Sequence, residues 1–235
     1  MRIEALTWDS DFFGFRIGRC LLNDKDKWEQ EKLTQWDLVY FFVDPDQYCA
    51  IHRLKELKAA LVDQKVTFKM DISGLSVGTF SLTGIYYYSK DSKLQDVINI
   101  GIQSGIYSRF SLDINIPKNK FEELYTIWMR RSIDREIARE VFIYKNDEEE
   151  IGGVITLGNK NDRSDIGIIA VDEKFRGHGV GKKLVKAGIK NSLEAGYKIL
   201  QVVTQKNNKS ACKFYEQCGF TVEQVVNVYH YWNKK

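Results

Sequence analysis

Two prolines, three histidines and four cysteines are all that 235 residues contain of those types. With so little proline, and 17 glycines spread without a repeat, collagen-like and low-complexity classes are excluded. Cys20, Cys49, Cys212 and Cys218 show no C-x-x-C spacing, and His52, His178 and His230 form no cluster with them. Neither a zinc site nor a disulfide framework is expected, and no metal. Reduced thiols suit a cytoplasmic protein. Met1-Arg2-Ile3-Glu4 is not a basic segment leading into an apolar stretch, so no signal peptide is expected. The longest uncharged run, Ile72 to Ser89, is broken by Gly, Ser and Thr and would span a bilayer badly, which argues against a membrane partner. Neither sign of charge prevails: 35 basic and 32 acidic side chains leave +3, and no nucleic-acid-binding motif appears, so nucleic acid is not expected.

What is present is a globular composition. Hydrophobic residues make up 43% and aromatics 13%, enough for a real core and too much for disorder. The length fits one large domain or two small ones. Positive charge is concentrated between Lys174 and Lys213, where ten Lys or Arg face one acid, Glu194. A solvated helix face, a nucleic-acid surface and a phosphate site share that signature. The glycines inside the stretch favour the phosphate site.

Local patterns divide the chain near residue 90. In the first part, Leu38–Val43 reads as a strand stopped by Asp44-Pro45-Asp46. Ile51, Leu54, Leu57 and Leu61 predict a helix over Tyr48–Leu61, and Val66–Ile72 a second strand. Trp8, Phe12 and Phe13 read as the packing of a first strand. A Gly/Ser/Thr-rich stretch with Tyr86-Tyr87-Tyr88 then separates a small α/β domain, 1–90, from a second domain, 91–235. That second part predicts a helix over Lys93–Tyr107, a loop from Ser108 to Pro117, and a helix opening at Pro117. A hairpin of Val141–Tyr144 and Ile151–Leu157 follows. Next come a strand at Ile166–Val171, a helix at Gly179–Ala195, a strand at Ile199–Thr204, a short helix at Ser210–Cys218 and a long strand at Phe220–Trp232. Helices alternating with strands after a hairpin argue for a mixed α/β sheet covered on both faces. The aromatic C-terminal strand is expected to offer an edge for a homodimer.

The sharpest feature is the run from Ile168 through Val171 and Arg176-Gly177-His178-Gly179-Val180-Gly181-Lys182 into a helix. Gly177, Gly179 and Gly181 let backbone N–H groups approach an anion, the helix N-terminus adds partial positive charge, and Arg176 and Lys182 add full charges. It is not a Walker loop, which needs GxxxxGK[ST]. It is not a dinucleotide fingerprint either, since the following strand, Ile199-Leu200-Gln201-Val202-Val203, carries no acid. A plain strand-to-helix turn is the other reading of these glycines.

One strand later stands Asn208-Lys209-Ser210-Ala211-Cys212-Lys213-Phe214-Tyr215-Glu216-Gln217-Cys218-Gly219-Phe220. R-G-x-G-x-G followed by N-x-x-A-x-x-F-Y-x-x-x-G-F resembles the GCN5-related N-acetyltransferases, over roughly residues 93–235. The resemblance implies a mixed, mostly antiparallel sheet with splayed central parallel strands and helices on both faces. It implies acetyl-CoA as cosubstrate. Ile169, Ala170 and Val171 would lie beside the pantetheine arm, Arg176–Lys182 would hold the pyrophosphate, and Asn208 would meet the arm from the other side. Tyr215 would lie near the thioester sulfur. A tyrosine, with an ordinary pKa near 10, can give the departing thiolate its proton, so Tyr215 is the expected general acid. A core aromatic is the alternative reading of Tyr215, and the better one of Phe214.

Leu6-Thr7-Trp8-Asp9-Ser10-Asp11-Phe12-Phe13-Gly14, with Ser108-Arg109-Phe110 and Tyr125-x-x-Trp128, is similar to the dTDP-fucosamine acetyltransferases and neighbouring sugar-nucleotide N-acyltransferases. That resemblance implies acetylation of a dTDP-4-amino-4,6-dideoxyhexose for surface polysaccharide assembly. Arg109 and Phe110 would then contact the acceptor, a guanidinium being suited to a nucleotide diphosphate. Asp63 and Asp71 lie where a general base would be sought, but Lys65 and Lys69 are there too and the base stays unassigned. Acetylation of another small or protein amine, and a non-catalytic CoA-binding module, are the competing readings.

Overall fold

A computed structural model describes residues 1–79, 81–90 and 92–233. The first part holds strands β1 (Glu4–Ala5), β2 (Ile17–Leu21), β3 (Leu38–Val43), β4 (Ala60–Asp71) and β5 (Ile85–Tyr87), with helices α1 (Thr7–Phe13) and α2 (Tyr48–Glu56). Helices α3 (Leu94–Gln103), α4 (Arg109–Leu112) and α5 (Lys118–Ile133) follow. Then come β6 (Glu140–Lys145), β7 (Ile151–Lys160), β8 (Arg163–Val171), α6 (Val180–Glu194), β9 (Ile199–Gln205), α7 (Lys209–Gln217) and β10 (Thr221–Trp232). All ten strands form one sheet in the order β1-β2-β3-β10-β4-β9-β8-β7-β6-β5. Only β2 with β3 and β8 with β9 are parallel neighbours. The mixed, mostly antiparallel sheet expected from the sequence is thus observed. The division expected at residue 90 falls between β5 and α3, and strands from both sides of it share the sheet: β4 lies between β10 and β9. Among the described residues no helix is long and apolar enough to cross a membrane.

Each face of the sheet buries its own core. On one face, α6 and α7 press Leu184, Val185 and Tyr215 onto Val66, Phe68, Leu200 and Val202. On the other, α3 and α5 press Val97, Ile98 and Met129 onto Val141, Ile143, Val154 and Ile168. That second face continues under α1 and α4, where Phe13 and Phe110 meet Tyr40, Ile17 and Leu124. Large side chains of this kind each stabilise the fold by about 1.5–3 kcal/mol on burial, so the two cores hold the sheet from both sides.

Three expectations are corrected. Residues Thr7–Phe13 form a helix rather than a first strand. Trp8 and Phe12, four residues apart, stack with ring centroids 5.2 Å apart, a contact that helical spacing permits and a strand does not. Helix α2 stops at Glu56 and not at Leu61, because Lys58 turns left-handed at φ 58° and the Ala59 N–H donates back to the Leu54 carbonyl at 2.9 Å. The chain then starts β4 at Ala60. Finally, β10 is no edge. It pairs with β3 over Asn227–Trp232 and with β4 over most of Thr221–His230, so it lies inside the sheet, with partners on both sides over Asn227–His230. The outer strands are β1 and β5.

Candidate active site

A bulge opens the sheet at its centre. Strand β8 pairs with β7 throughout, but the register slips between Ile155–Ile169 and Leu157–Ile166, so Gly167 and Ile168 together face Thr156. The Thr156 hydroxyl accepts the Ile168 N–H at 2.9 Å, which fixes the kink. A Cβ on residue 167 would sit 3.0 Å from that hydroxyl, which is why glycine stands there. Bulges bend their strand and end pairing. Here β8 and β9 pair only from Ser164–Leu200 to Ile166–Val202, and both run on, to Val171 and Gln205, without pairing each other. The result is a cleft of about 890 Å³ lined from both faces. The unpaired edges of Ile169, Ala170 and Val171 form one wall, and Val203, Thr204 and Gln205 the other.

On the α6/α7 face the cleft meets the glycine loop. Asp172 accepts the Lys174 N–H at 3.0 Å and begins the turn. The Arg176 guanidinium donates to the Val171 carbonyl at 3.1 Å and to Gln103 Oε1 at 3.1 Å. Arg176 therefore fastens the base of the loop to the strand and to α3. Gly177 and Gly179 are left-handed, at φ 83° and 79°, and Gly179 begins α6 without a side-chain cap. None of the N–H groups from Gly177 to Lys182 has a backbone acceptor among the described residues. Open N–H groups at a helix N-terminus, beside Lys182, make a cradle for an anion. Gly177, Gly179, Val180, Gly181 and Lys182 line the cleft, while His178 is exposed and does not.

Helix α7 forms the rest of this side. Asn208 is its cap, with Oδ1 accepting from the Ala211 N–H at 3.1 Å and from Ser210 Oγ at 2.9 Å. Its amide N–H donors remain for the cleft. Tyr215 is 5% exposed, its ring wedged among Phe68, Phe214 and Phe220 with centroids 5.6, 5.4 and 5.7 Å away. Burial first, then the Cys218 and Cys212 sulfurs, push its hydroxyl well above the ordinary tyrosine value, so it is a proton donor throughout the physiological range.

The opposite face carries Arg109 and Phe110, which the sequence puts in a loop and the structure puts at the start of α4. The Arg109 guanidinium lies 4.3 Å from the Phe110 ring centroid, 4.9 Å from Tyr40 and 5.8 Å from Phe42, and its Nε has no partner. Asp63 and Lys65 project from β4 into the same recess, with Tyr125 and Trp128 from α5. Burial pulls the Lys65 amine down, helped by the Lys160 and Arg109 charges. Beneath this recess, Asp113 accepts from His230 Nδ1 at 2.5 Å and from Trp232 Nε1 at 2.8 Å, and His230 stacks on Tyr40 at 4.6 Å.

The cleft thus gathers Tyr215, Asn208, the three residues of β8, all the loop residues except His178, and Arg109 with Phe110. Sequence reasoning missed Tyr40 and, between Asp63 and Asp71, left the base unassigned. Asp63 had a signal, as a lone acid between Leu61-Val62 and Val66 in a strand. Tyr40 had none, being one aromatic in a run of them.

The acetyltransferase (GNAT) family matches residues 109–220. The chain is 22% identical to the dTDP-fucosamine acetyltransferase of Escherichia coli O6:H1 over 232 residues, 98% of this chain and 96% of that protein. It is 27% identical to the spore coat polysaccharide biosynthesis protein SpsD of Bacillus subtilis over 128 residues, 54% of this chain but only 44% of that protein. Among solved structures, a GCN5-related N-acetyltransferase from Sphaerobacter thermophilus superposes with a TM-score of 0.57 at 13% identity, over 82% of this chain and 59% of that one.

Proposed function

We propose, from the premise that this chain is an N-acetyltransferase of the GNAT family, that it moves the acetyl group of acetyl-CoA to the amine of a dTDP-4-amino-4,6-dideoxyhexose by direct attack. The observation that carries the reading is the split between β8 and β9, which joins an anion cradle on one face to a cationic, aromatic recess on the other. A donor and an acceptor entering from opposite faces meet within the sheet.

Acetyl-CoA, when bound, supplies the activated acyl group. The chain's own residues divide the remaining work. The backbone groups of β8 that face away from β7, at Ile169 and at the Val171 N–H on either side of Ala170, and the Asn208 amide hold an amide-bearing arm by strand-like hydrogen bonds. The N–H groups from Gly177 to Lys182 and the Lys182 ammonium hold the pyrophosphate, while Arg176 keeps the loop in place. The Tyr215 hydroxyl donates the proton that the leaving sulfur needs. Arg109 and Phe110 engage the acceptor nucleotide, the guanidinium by charge and the ring by stacking. The full-length similarity to a dTDP-fucosamine acetyltransferase supports the acceptor class, and the partial similarity to a spore coat polysaccharide biosynthesis protein supports a place in surface polysaccharide biosynthesis.

Thiol release from acetyl-CoA, measured against a panel of dTDP-4-amino-4,6-dideoxyhexoses, spermidine, an aminoglycoside and a peptide, tests this. Turnover confined to the nucleotide sugars is expected. Turnover on another amine alone would discard the acceptor class. Binding of acetyl-CoA without turnover on any acceptor would favour a CoA-binding module. The cradle has its own test. Gly179→Ala puts a Cβ on a left-handed residue, at a cost of about 1–2 kcal/mol. Displacing the loop to relieve it should weaken acetyl-CoA about tenfold by titration calorimetry, since about 1.4 kcal/mol corresponds to that factor.

A further inference from the structure

The geometry points to Asp63 as the group that takes the proton from the acceptor ammonium before it attacks. This rests on the acetyltransfer reading above and adds to it the missing base. Asp63 is the one carboxylate among the described residues that line the cleft, and no histidine lines it. It is 6% exposed, and its Oδ1 is fully buried without a hydrogen-bond partner. Asp71, the other acid of β4, is exposed at the far end of the strand and accepts from the Ser73 N–H at 2.9 Å and from Ser73 Oγ at 2.6 Å. It has no part in the cleft.

The placement follows from register. Asp63 and Lys65 alternate with Val66 and Phe68, whose side chains join the core under α6 and α7. Asp63 therefore lies on the acceptor face, across the split from Tyr215. The recess around it holds further unsatisfied atoms: Tyr40 Oη and Arg109 Nε, like Asp63 Oδ1, are buried without partners. A native fold rarely leaves such a cluster unpaired, and a catalytic role is one of the reasons it does so. The charged and titratable groups facing Asp63 are Arg109 from α4, Lys65 from β4 and Tyr125 from α5, with His230 of β10 and Asp9 of α1 beyond Arg109. No pair with Arg109 closes to within ion-pair distance, so Oδ1 stays free to accept. Burial raises the carboxyl to about 6 against the opposing pull of Arg109 and Lys65. At that value it is ionised at neutral pH yet basic enough to compete for a proton.

The step balances. An alkyl amine with a pKa near 10 arrives mainly as ammonium, which has no lone pair to give. One N–H proton passes to Asp63 Oδ1. The freed pair forms the C–N bond to the acetyl carbonyl carbon, the C–S bond breaks, and the sulfur leaves with its electrons and takes a proton from Tyr215. The new amide nitrogen gives up its second proton, which passes through water to restore the Tyr215 hydroxyl. Asp63 then returns its proton to solvent.

Two readouts test this. Infrared difference spectra of the protein without acceptor, wild type against Asp63→Asn, should show a carboxyl titrating near pH 6 that the variant lacks; a midpoint in the ordinary range near 4 overturns the assignment. On whichever amine the panel shows to be acetylated, Asp63→Asn should lower kcat about 100-fold or more. Wild-type kcat/KM should rise with pH through about 6, where Asp63 ionises. The variant should lack that limb and gain rate steadily towards the amine's own pKa. A variant within threefold of wild type overturns the proposal. Asp63→Ser serves as a second variant if the amide disturbs β4. A wrong acceptor class shows as a wild-type preference in the panel; a wrong base shows as an unaffected variant on the same amine.

Discussion

Tyr215→Phe is expected to lower turnover by about 100-fold or more, with acetyl-CoA affinity changed less than about threefold. The ring is held by Phe68, Phe214 and Phe220, so phenylalanine keeps the packing and loses only the oxygen. Because burial lifts the hydroxyl above its ordinary value, the wild type should show no loss of rate from Tyr215 ionisation below about pH 10. Stopped-flow thiol release, with calorimetry of acetyl-CoA binding, separates the two effects. Equal loss in kcat and kcat/KM marks an interaction made only as the thiolate leaves. If turnover is unchanged, Tyr215 is a core aromatic and the leaving sulfur is protonated by water.

Asp113→Ala should destabilise the protein by about 3 kcal/mol, because it leaves the buried His230 and Trp232 N–H donors without their acceptor. At this chain length that corresponds to a fall in Tm of about 10 °C. The carboxylate accepts from the His230 ring, the Trp232 indole and the Asn115 N–H, at 2.5, 2.8 and 2.9 Å. Burial alone would push Asp113 up, but these donors outweigh it and hold it at about 2. Burial pushes His230 down to about 4, so the pair is a neutral imidazole donating to a carboxylate. Both shifts act in the same direction with pH. The unfolded chain binds the imidazole proton first, so stability drains as pH falls from about 6.5 towards 4, and the carboxylate's contribution follows between about 3.8 and 2. Thermal unfolding from pH 8 to 4 should show the first loss in the wild type, and a flatter curve would contradict it.

Much of this was legible in the chain, and the parts that were not share a cause. The glycine loop, α6 and the cap of α7 rest on local chemistry: residues free to turn left-handed, an asparagine that bonds its own third neighbour, apolar residues at helical spacing. Those features announce themselves in a window of a few residues. The bulge at Gly167 does not, because it exists only against Thr156 on another strand. The place of β10 does not, because an aromatic strand reads alike at an edge or in the middle. Helix α1 was misread since Trp8, Phe12 and Phe13 satisfy an apolar cluster in either geometry, and the stacking that decides for the helix is a contact, not a composition. Asp63 was visible as one of two acids where a base would be sought, but the choice was not, because it rests on α4, which lies 46 residues along the chain and closes over Asp63.

The position of β10 also orders assembly in time. It is the last strand in the sequence, yet it fills the slot between β3 and β4. Until it is made and inserted, β1, β2 and β3 have no hydrogen-bonded route to the rest of the sheet, and the nascent protein holds a three-stranded fragment apart from a six-stranded one. Tyr40 and Phe42, the rings that flank Arg109, ride on the smaller fragment. The anion cradle belongs to the larger one. The rings that flank Arg109 are therefore joined to the fragment that carries the anion cradle only once β10 is in place.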